Sequence, residues 1–165
     1  MDNKKVVEAD EMVGKIRAAA AARSQSLFIL ARTDALAPEG IDSALRRGEK
    51  YLKAGADGVY VEGPETTEQL AKIGKTFKGV PLATSVLENG GKTPWLSPKE
   101  FGKLGFTMVL YPTTVLFRAA YAIDRAVRNL RQGKPIEKEL AVDMGEFEEI
   151  VDLPYWQKLE RTSGG

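Results

Sequence analysis

The sequence contains neither cysteine nor histidine among its 165 residues. Without cysteine the chain has no disulfide, no thiolate zinc ligand and no thiol nucleophile. Without histidine it has no Ser-His-Asp triad, and it lacks the commonest general base of enzymes. Any chemistry must therefore use carboxylates, Arg, Lys, Tyr and hydroxyl groups, with or without a metal ion bound through oxygen.

A strong net charge and long apolar runs are also absent. The formal net charge is +1, from 24 Lys and Arg against 23 Asp and Glu, which gives no reason to expect a nucleic-acid or anionic membrane partner. No apolar segment approaches the length of a transmembrane helix, and the N-terminal residues do not have the pattern of a signal peptide. We therefore expect a cytoplasmic protein of about one domain, large enough to bury a real core.

Segments with helical periodicity alternate with short apolar runs typical of buried parallel strands. Asp10 is the expected N-cap of the first helix, and Ser97 with Glu100 has the spacing of a capping box. The predicted elements are, in order, helix 8–22, strand 27–31, helix 41–54, strand 58–61, helix 66–77, strand 80–83, a short helix from 97, strand 106–110 and helix 114–132.

A polar segment follows each of the four predicted strands. These segments are Arg32 to Asp34, then Glu62, then Thr84 with Ser85, then residues 111–114. In a β/α barrel the carboxyl ends of the strands bring such side chains together at one face, where ligands bind. The simpler alternative is that Arg32 forms a surface ion pair, that its neighbours shape a turn and that Glu62 is solvated. A full barrel needs about 250 residues, so this chain has material for half of one.

Several segments resemble the isocitrate lyase / phosphoenolpyruvate mutase superfamily, nearest to its methylisocitrate lyase, dimethylmalate lyase and carboxyphosphonoenolpyruvate mutase group. The resemblance implies an α/β fold that is the C-terminal half of a (β/α)8 TIM barrel. About four parallel strands with helices would occupy residues 1–133, and a helical tail at 134–165 could be swapped between subunits. The segments are EMVGKIRAA at 11–19, ARTDA at 31–35, AGADGVYVEGP at 54–64, ENGGKTP at 88–94 and VLYPTTVLFRA at 109–119.

The resemblance also implies a set of site residues. Arg32 matches an arginine that grips a substrate carboxylate, and a planar guanidinium suits that task because it binds carboxylates bidentately and stays charged. Glu62 matches a glutamate that touches the substrate or the water shell of the metal. Ser85 falls where relatives commonly carry a carboxylate-binding asparagine, and Arg118 matches a second anion-binding arginine of some members. Arg32 and Glu62 are thus the catalytic candidates, and all four are candidates for substrate binding.

Two neighbouring acidic residues have less definite roles. Asp34 is expected to hold Arg32 in place or to cap the loop, and not to react. Glu88 is left open between a contact of a gating loop and a plain solvated residue.

The family's magnesium chemistry is only partly represented in this chain. The resemblance implies a Mg²⁺ cofactor whose direct ligands are aspartates on earlier strands, together with a reactive Lys-Cys-Gly-His type loop. Neither is found here, so we expect no direct metal ligand and no tight Mg²⁺ site in this chain.

Two hypotheses about function follow. In the first, the chain is the C-terminal part of a Mg²⁺-dependent lyase that cleaves a C–C bond of a 2-hydroxy or 2-oxo di- or tricarboxylic acid through an enolate. It would be active only when an N-terminal half completes the barrel. In the second, it is a non-catalytic remnant or association module that at most binds small carboxylates. In either case we expect a homo-oligomer or a complex with a complementing half-barrel chain.

Overall fold

A computed structural model describes residues 5–24, 26–88, 90–135 and 137–163. Four parallel strands form one sheet in the order β1-β2-β3-β4. The order in space equals the order along the chain, and helices connect consecutive strands, so the predicted α/β architecture is confirmed. The strands are β1 (Leu30–Thr33), β2 (Gly58–Val61), β3 (Leu82–Ser85) and β4 (Met108–Leu110).

The helices begin and end close to where the sequence predicts. They are α1 (Ala9–Ala22), α2 (Leu36–Glu39), α3 (Ile41–Lys53), α4 (Thr67–Thr76), α5 (Pro98–Lys103), α6 (Thr114–Arg131), α7 (Met144–Ile150) and α8 (Leu153–Thr162), with a 3-10 turn at Lys138–Leu140.

Local hydrogen bonds account for several of these boundaries. The Ser97 hydroxyl accepts from the Glu100 amide and the Glu100 carboxylate accepts from the Ser97 amide, which confirms the predicted capping box of α5. Thr66 caps α4 by accepting from the Gln69 amide. Gly55 follows α3 with φ of 107°, a left-handed conformation that glycine adopts without steric strain.

The core lies between the sheet and its helices. Residues on one face of the strands pack against the apolar faces of α3, α4 and α5, which buries area that stabilises the fold. The central cluster comprises Ala35, Leu36, Ala44, Leu45, Val59, Val61, Leu70, Ile73, Phe77, Leu82, Val86, Phe101 and Phe106.

Three predicted strands needed correction, and in β1 and β3 the polar segment after the predicted strand belongs partly to the sheet. β1 begins at Leu30 and extends through Thr33, whereas Leu27 and Phe28 lie outside it and are about half exposed. β3 occupies Leu82–Ser85 instead of residues 80–83. β4 is shortened to Met108–Leu110. Strand length follows the available backbone partners, which apolar content alone does not reveal.

Two helix predictions were also wrong in detail. Asp10 lies inside the first turn of α1, where it pairs with Lys50 at 2.8 Å, and Glu8 is the N-cap residue without a side-chain bond. Pro38 and Gly40 in the sequence predict a loop before the helix 41–54, but Leu36–Glu39 forms a short helix, since proline is tolerated within the first turn.

The chain divides into two compact units, residues 1–114 and 115–165. In the second unit no residue of α6 is buried. The helical periodicity of the sequence predicts an apolar seam along this helix, and its residues Leu116, Ile123 and Leu130 are each more than 60% accessible. The predicted division into a half barrel at 1–133 and a tail at 134–165 stays a prediction. Asn89 of the glycine loop, Ile136 of the tail and the last two glycines lie outside the described residues. No helix in the described part of the chain is long and apolar enough to cross a bilayer.

Candidate active site

The strand register places the candidate residues on one face of the sheet. Arg32 is paired with Tyr60, and Tyr60 is paired with Ala83. Paired residues of neighbouring parallel strands project to the same side, and so do residues two positions apart in a strand. Glu62 and Ser85 therefore lie on the same side as Arg32, near the carboxyl ends of β2 and β3.

Arg32 is held at the edge of the sheet by two carboxylates. Its Nε and Nη2 donate to the two oxygens of Asp34 at 2.6 and 3.1 Å, and Nη2 lies 3.5 Å from Glu62 Oε2. The hydrogen bond with Asp34 is the main cause of a raised pKa for Arg32; burial opposes it, and the Glu62 charge adds to it. The expected role of Asp34 in holding Arg32 is confirmed.

Tyr60 connects the two other site residues. Its ring lies under Arg32, with the guanidinium carbon 5.1 Å from the ring centroid, a distance at which a cation is attracted to an aromatic face. Its hydroxyl is hydrogen-bonded to Glu62 and, at 2.7 Å, to Ser85 Oγ. Burial, followed by the hydrogen bond to Glu62, raises the pKa of Tyr60 to about 12.

Sequence reasoning missed Tyr60, because it was counted among the apolar residues of the GVYV strand. The signal was present, since a tyrosine two residues before a site glutamate on a strand must share its face. The phenol of Tyr60 connects Glu62 and Ser85, which were predicted. The four side chains Arg32, Tyr60, Glu62 and Ser85 thus form one connected polar cluster.

Two threonines of the polar strand ends, Thr33 and Thr84, point away from this cluster. Thr84 alternates with Ser85 and is fully buried, and its hydroxyl has no hydrogen-bond partner among the described residues. The Thr33 hydroxyl accepts from the Ala35 amide at 3.3 Å and shapes the turn after β1. For Thr33 the simpler interpretation, a turn residue, is therefore correct.

Two other candidates lie elsewhere in the chain. Arg118 is an exposed residue of α6 in the second unit. Glu88 lies in the turn after β3 and is half-buried. The roles expected for them stay predictions.

The carboxylates of the cluster do not fit a magnesium site. Asp34 uses both oxygens on Arg32, and Glu62 is bonded to Tyr60 and close to Arg32. Mg²⁺ requires near-octahedral oxygen ligands and is usually held by one or two free carboxylates with water or substrate oxygens. Within the described ranges, no group of three or more Asp, Glu, His or Cys side chains could hold a metal.

Comparison with known proteins identifies the family. The family model for phosphoenolpyruvate phosphomutase matches residues 1–131. The chain belongs to the PEP mutase/isocitrate lyase superfamily. The 2,3-dimethylmalate lyase of Eubacterium barkeri is 42% identical over 165 residues, which cover 98% of this chain and 56% of that protein. The predicted family is confirmed.

Solved structures of the superfamily have the same fold. Oxaloacetate acetylhydrolase in complex with the inhibitor 3,3-difluorooxalacetate superposes with a TM-score of 0.88 at 28% identity, covering 100% of this chain and 56% of that one. Phosphonopyruvate hydrolase in complex with oxalate and Mg²⁺ gives 0.77 at 27% identity, covering 98% and 58%. The chain spans about half the length of the curated relatives it matches.

Proposed function

We propose that this chain supplies the carboxylate-binding part of a carbon–carbon lyase site that acts on a 2-hydroxy or 2-oxo di- or tricarboxylic acid. The observation that carries the proposal is the clamped Arg32 at the carboxyl edge of the sheet. Its relatives include enzymes named as lyases and as mutases. The family resemblance implies that Arg32 binds a carboxylate of the substrate and that Glu62 lies beside it.

The geometry of Arg32 is suited to receiving an anion. Asp34 accepts from Nε and from one hydrogen of Nη2, and Glu62 approaches Nη2 only to 3.5 Å, so Nη1 and the second Nη2 hydrogen form an end-on fork for a ligand carboxylate. The Arg32 side chain is 48% accessible, so a ligand can reach that fork from solvent. Asp34 fixes the plane of the guanidinium beforehand, which reduces the entropy lost on binding.

We assign the other cluster residues to the substrate as well. Glu62 lies beside the fork and would contact the bound acid, and Ser85 lies one strand further along the same face. We also propose Arg118 as a second anion-binding residue, and only the family resemblance supports this role.

We further propose that the magnesium ligands and the acid/base loop come from the half of the barrel that this chain does not contain. The carboxylates of Asp34 and Glu62 are engaged by Arg32 and Tyr60 and do not form the oxygen site that Mg²⁺ requires, which supports this proposal. The exposed apolar seam of α6 supports a complex with that half or with further copies of the chain. The cytoplasmic location stays a prediction.

The alternative is a non-catalytic module that binds small carboxylates, and the lack of a metal site in the described residues is the observation that favours it. Both functions require carboxylate binding at Arg32. They differ because only the lyase part gains turnover when an N-terminal half completes the barrel.

Calorimetric titration with oxalate tests the shared site. Arg32→Ala should weaken oxalate binding by at least about tenfold, since a charged bidentate contact contributes about 1.5–3 kcal/mol. Arg46→Ala, which removes an exposed arginine of α3 with no ion pair among the described contacts, should leave the affinity within about twofold. If Arg32→Ala and the unaltered chain bind oxalate with equal affinity, Arg32 does not bind carboxylates.

A further inference from the structure

Three oxygen atoms in the active-site cluster form a chain of hydrogen bonds whose direction can be deduced. The Tyr60 hydroxyl is bonded to Glu62 on one side and to Ser85 Oγ, 2.7 Å away, on the other. Tyr60 and Ser85 are both only 7% exposed, so water does not replace either bond.

A count of protons fixes which atom donates in each bond. A phenol has a single proton, and an ionised carboxylate can only accept. Glu62 is the negatively charged partner of an ion pair with the Arg32 guanidinium, 3.5 Å away. The Tyr60 proton is therefore donated to Glu62. Since Tyr60 has no second proton, the bond to Ser85 must use the proton of the serine.

The consequence concerns what Ser85 offers to a ligand. A serine hydroxyl has one proton and two lone pairs. With its proton committed to Tyr60, Ser85 has only acceptor capacity left, and Glu62 is likewise an acceptor. A second carboxylate or a keto oxygen facing Ser85 would meet lone pairs instead of a donor.

We propose that Tyr60 is a specificity-determining residue that makes Ser85 a hydrogen-bond acceptor, so that the site selects a carboxylic acid bearing a hydroxyl group over its oxo analogue. The carboxylate binds to the Arg32 fork and the hydroxyl donates to Ser85. This inference rests on the proposed carboxylate site and narrows its substrate class to 2-hydroxy acids. It also revises the expected role of Ser85 as a donor to a substrate carboxylate.

The experiment compares two ligands that differ only in this group, 2-hydroxyglutarate and 2-oxoglutarate. Their dissociation constants are measured by calorimetry on the full chain and on variants. The unaltered chain should prefer the hydroxy acid by about tenfold, the effect of one hydrogen bond gained against one repulsive contact. In Tyr60→Phe the ring and its contact with Arg32 are retained, but Ser85 regains a proton to donate. The preference should then fall below about threefold, mainly because the oxo acid binds more tightly.

Matched variants separate this claim from the site itself. Tyr155→Phe, at an exposed tyrosine of α8 whose ring contacts Trp156, should leave the preference unchanged, and Arg32→Ala should weaken both ligands equally. If Tyr60→Phe does not fold, Ser85→Ala decides instead, because it removes the acceptor and should lower the preference to the same extent.

The outcomes distinguish the two proposals. An unchanged preference in Tyr60→Phe or Ser85→Ala, with both ligands still dependent on Arg32, would overturn the role of Tyr60 and leave the carboxylate site standing. Failure of the unaltered chain to bind either ligand would overturn both.

Discussion

The Arg32 guanidinium lies over the face of the Tyr60 ring, 5.1 Å from its centroid, while the hydroxyl of the same ring is bonded to Glu62. One aromatic side chain thereby contacts a cation with its face and a carboxylate with its edge. Because β1 and β2 pair Arg32 with Tyr60, this arrangement is a direct result of the sheet register.

The raised pKa of Tyr60 predicts a loss of stability at alkaline pH. The phenol titrates near 10 when unfolded and at about 12 in the folded chain. Between these values the folded state retains a proton that the unfolded state has lost, so the free energy of unfolding must fall as pH rises from 10 to 12. The loss attributable to Tyr60 is at most about 1.4 kcal/mol per pH unit.

Urea denaturation of the unaltered chain and of Tyr60→Phe at pH 8, 10 and 11 measures this contribution. Lysines and the other tyrosines titrate in both proteins, so the difference between the two reports Tyr60. A constant difference across this range would mean that Tyr60 ionises at its ordinary pKa.

Close packing of α4 predicts a large effect of a single methyl group. A Cβ added to Gly74 would lie 1.7 Å from the backbone oxygen of Leu104, whereas a Cβ on Gly102 would meet nothing within 4 Å. Gly74→Ala should therefore destabilise the chain by about 3 kcal/mol or more, because backbone must move. Gly102→Ala should be neutral or stabilising by up to about 1 kcal/mol, from its helix propensity. Equal urea midpoints for the two variants would contradict the packing of α4 against the turn before β4.

The buried Thr84 hydroxyl predicts a stabilising substitution. It has no hydrogen-bond partner among the described residues, so Thr84→Val should raise the free energy of unfolding by about 1 kcal/mol. Thr33→Val is the matched control, because it removes the acceptor of the Ala35 amide and should destabilise by a similar amount. A thermal melt in which Thr84→Val loses stability would show that its hydroxyl has a partner.

The sequence predicted most helices and strands as such, but it did not predict where the strands end or that Tyr60 connects the site residues. The GVYV strand was placed correctly because glycines bound an apolar run on both sides. β3 was placed two residues too early, since the pairing of Ser85 with Leu110 depends on a strand 25 residues further along the chain. The apolar residues Leu27 and Phe28 were assigned to a buried strand, yet they lie before β1 and are about half exposed.

Within the site, the sequence and the family resemblance pointed to Arg32, Glu62 and Ser85, which the strand register places on one face of the sheet, and their roles stay predictions. Tyr60 was missed because its hydroxyl acts across strands, and cross-strand neighbours are known only when the register is known. Thr84 shows the opposite error. It was grouped with Ser85 as a polar strand end, but its side chain faces the core.

The exposed seam of α6 predicts self-association or a complex. Leu116, Ile123 and Leu130 are each more than 60% accessible, and an apolar surface of this kind is uncommon in monomers. Light scattering of the purified chain at micromolar concentration should give a mass above 18.0 kDa, and Leu116→Lys with Ile123→Lys should shift it downward. A monodisperse monomer of the unaltered chain would contradict the association.

The most direct test of the central claim is turnover after completion of the barrel. The chain is co-expressed with the N-terminal half of the Eubacterium barkeri 2,3-dimethylmalate lyase, and cleavage of dimethylmalate, 2-methylisocitrate and oxaloacetate is assayed with Mg²⁺. We predict no turnover by the chain alone, turnover by the pair, and a loss of at least about 30-fold in kcat/KM for Arg32→Ala, since a charged contact left desolvated costs about 2–5 kcal/mol. Arg46→Ala should retain the activity of the unaltered pair. Full kcat/KM in the Arg32→Ala pair would contradict the account.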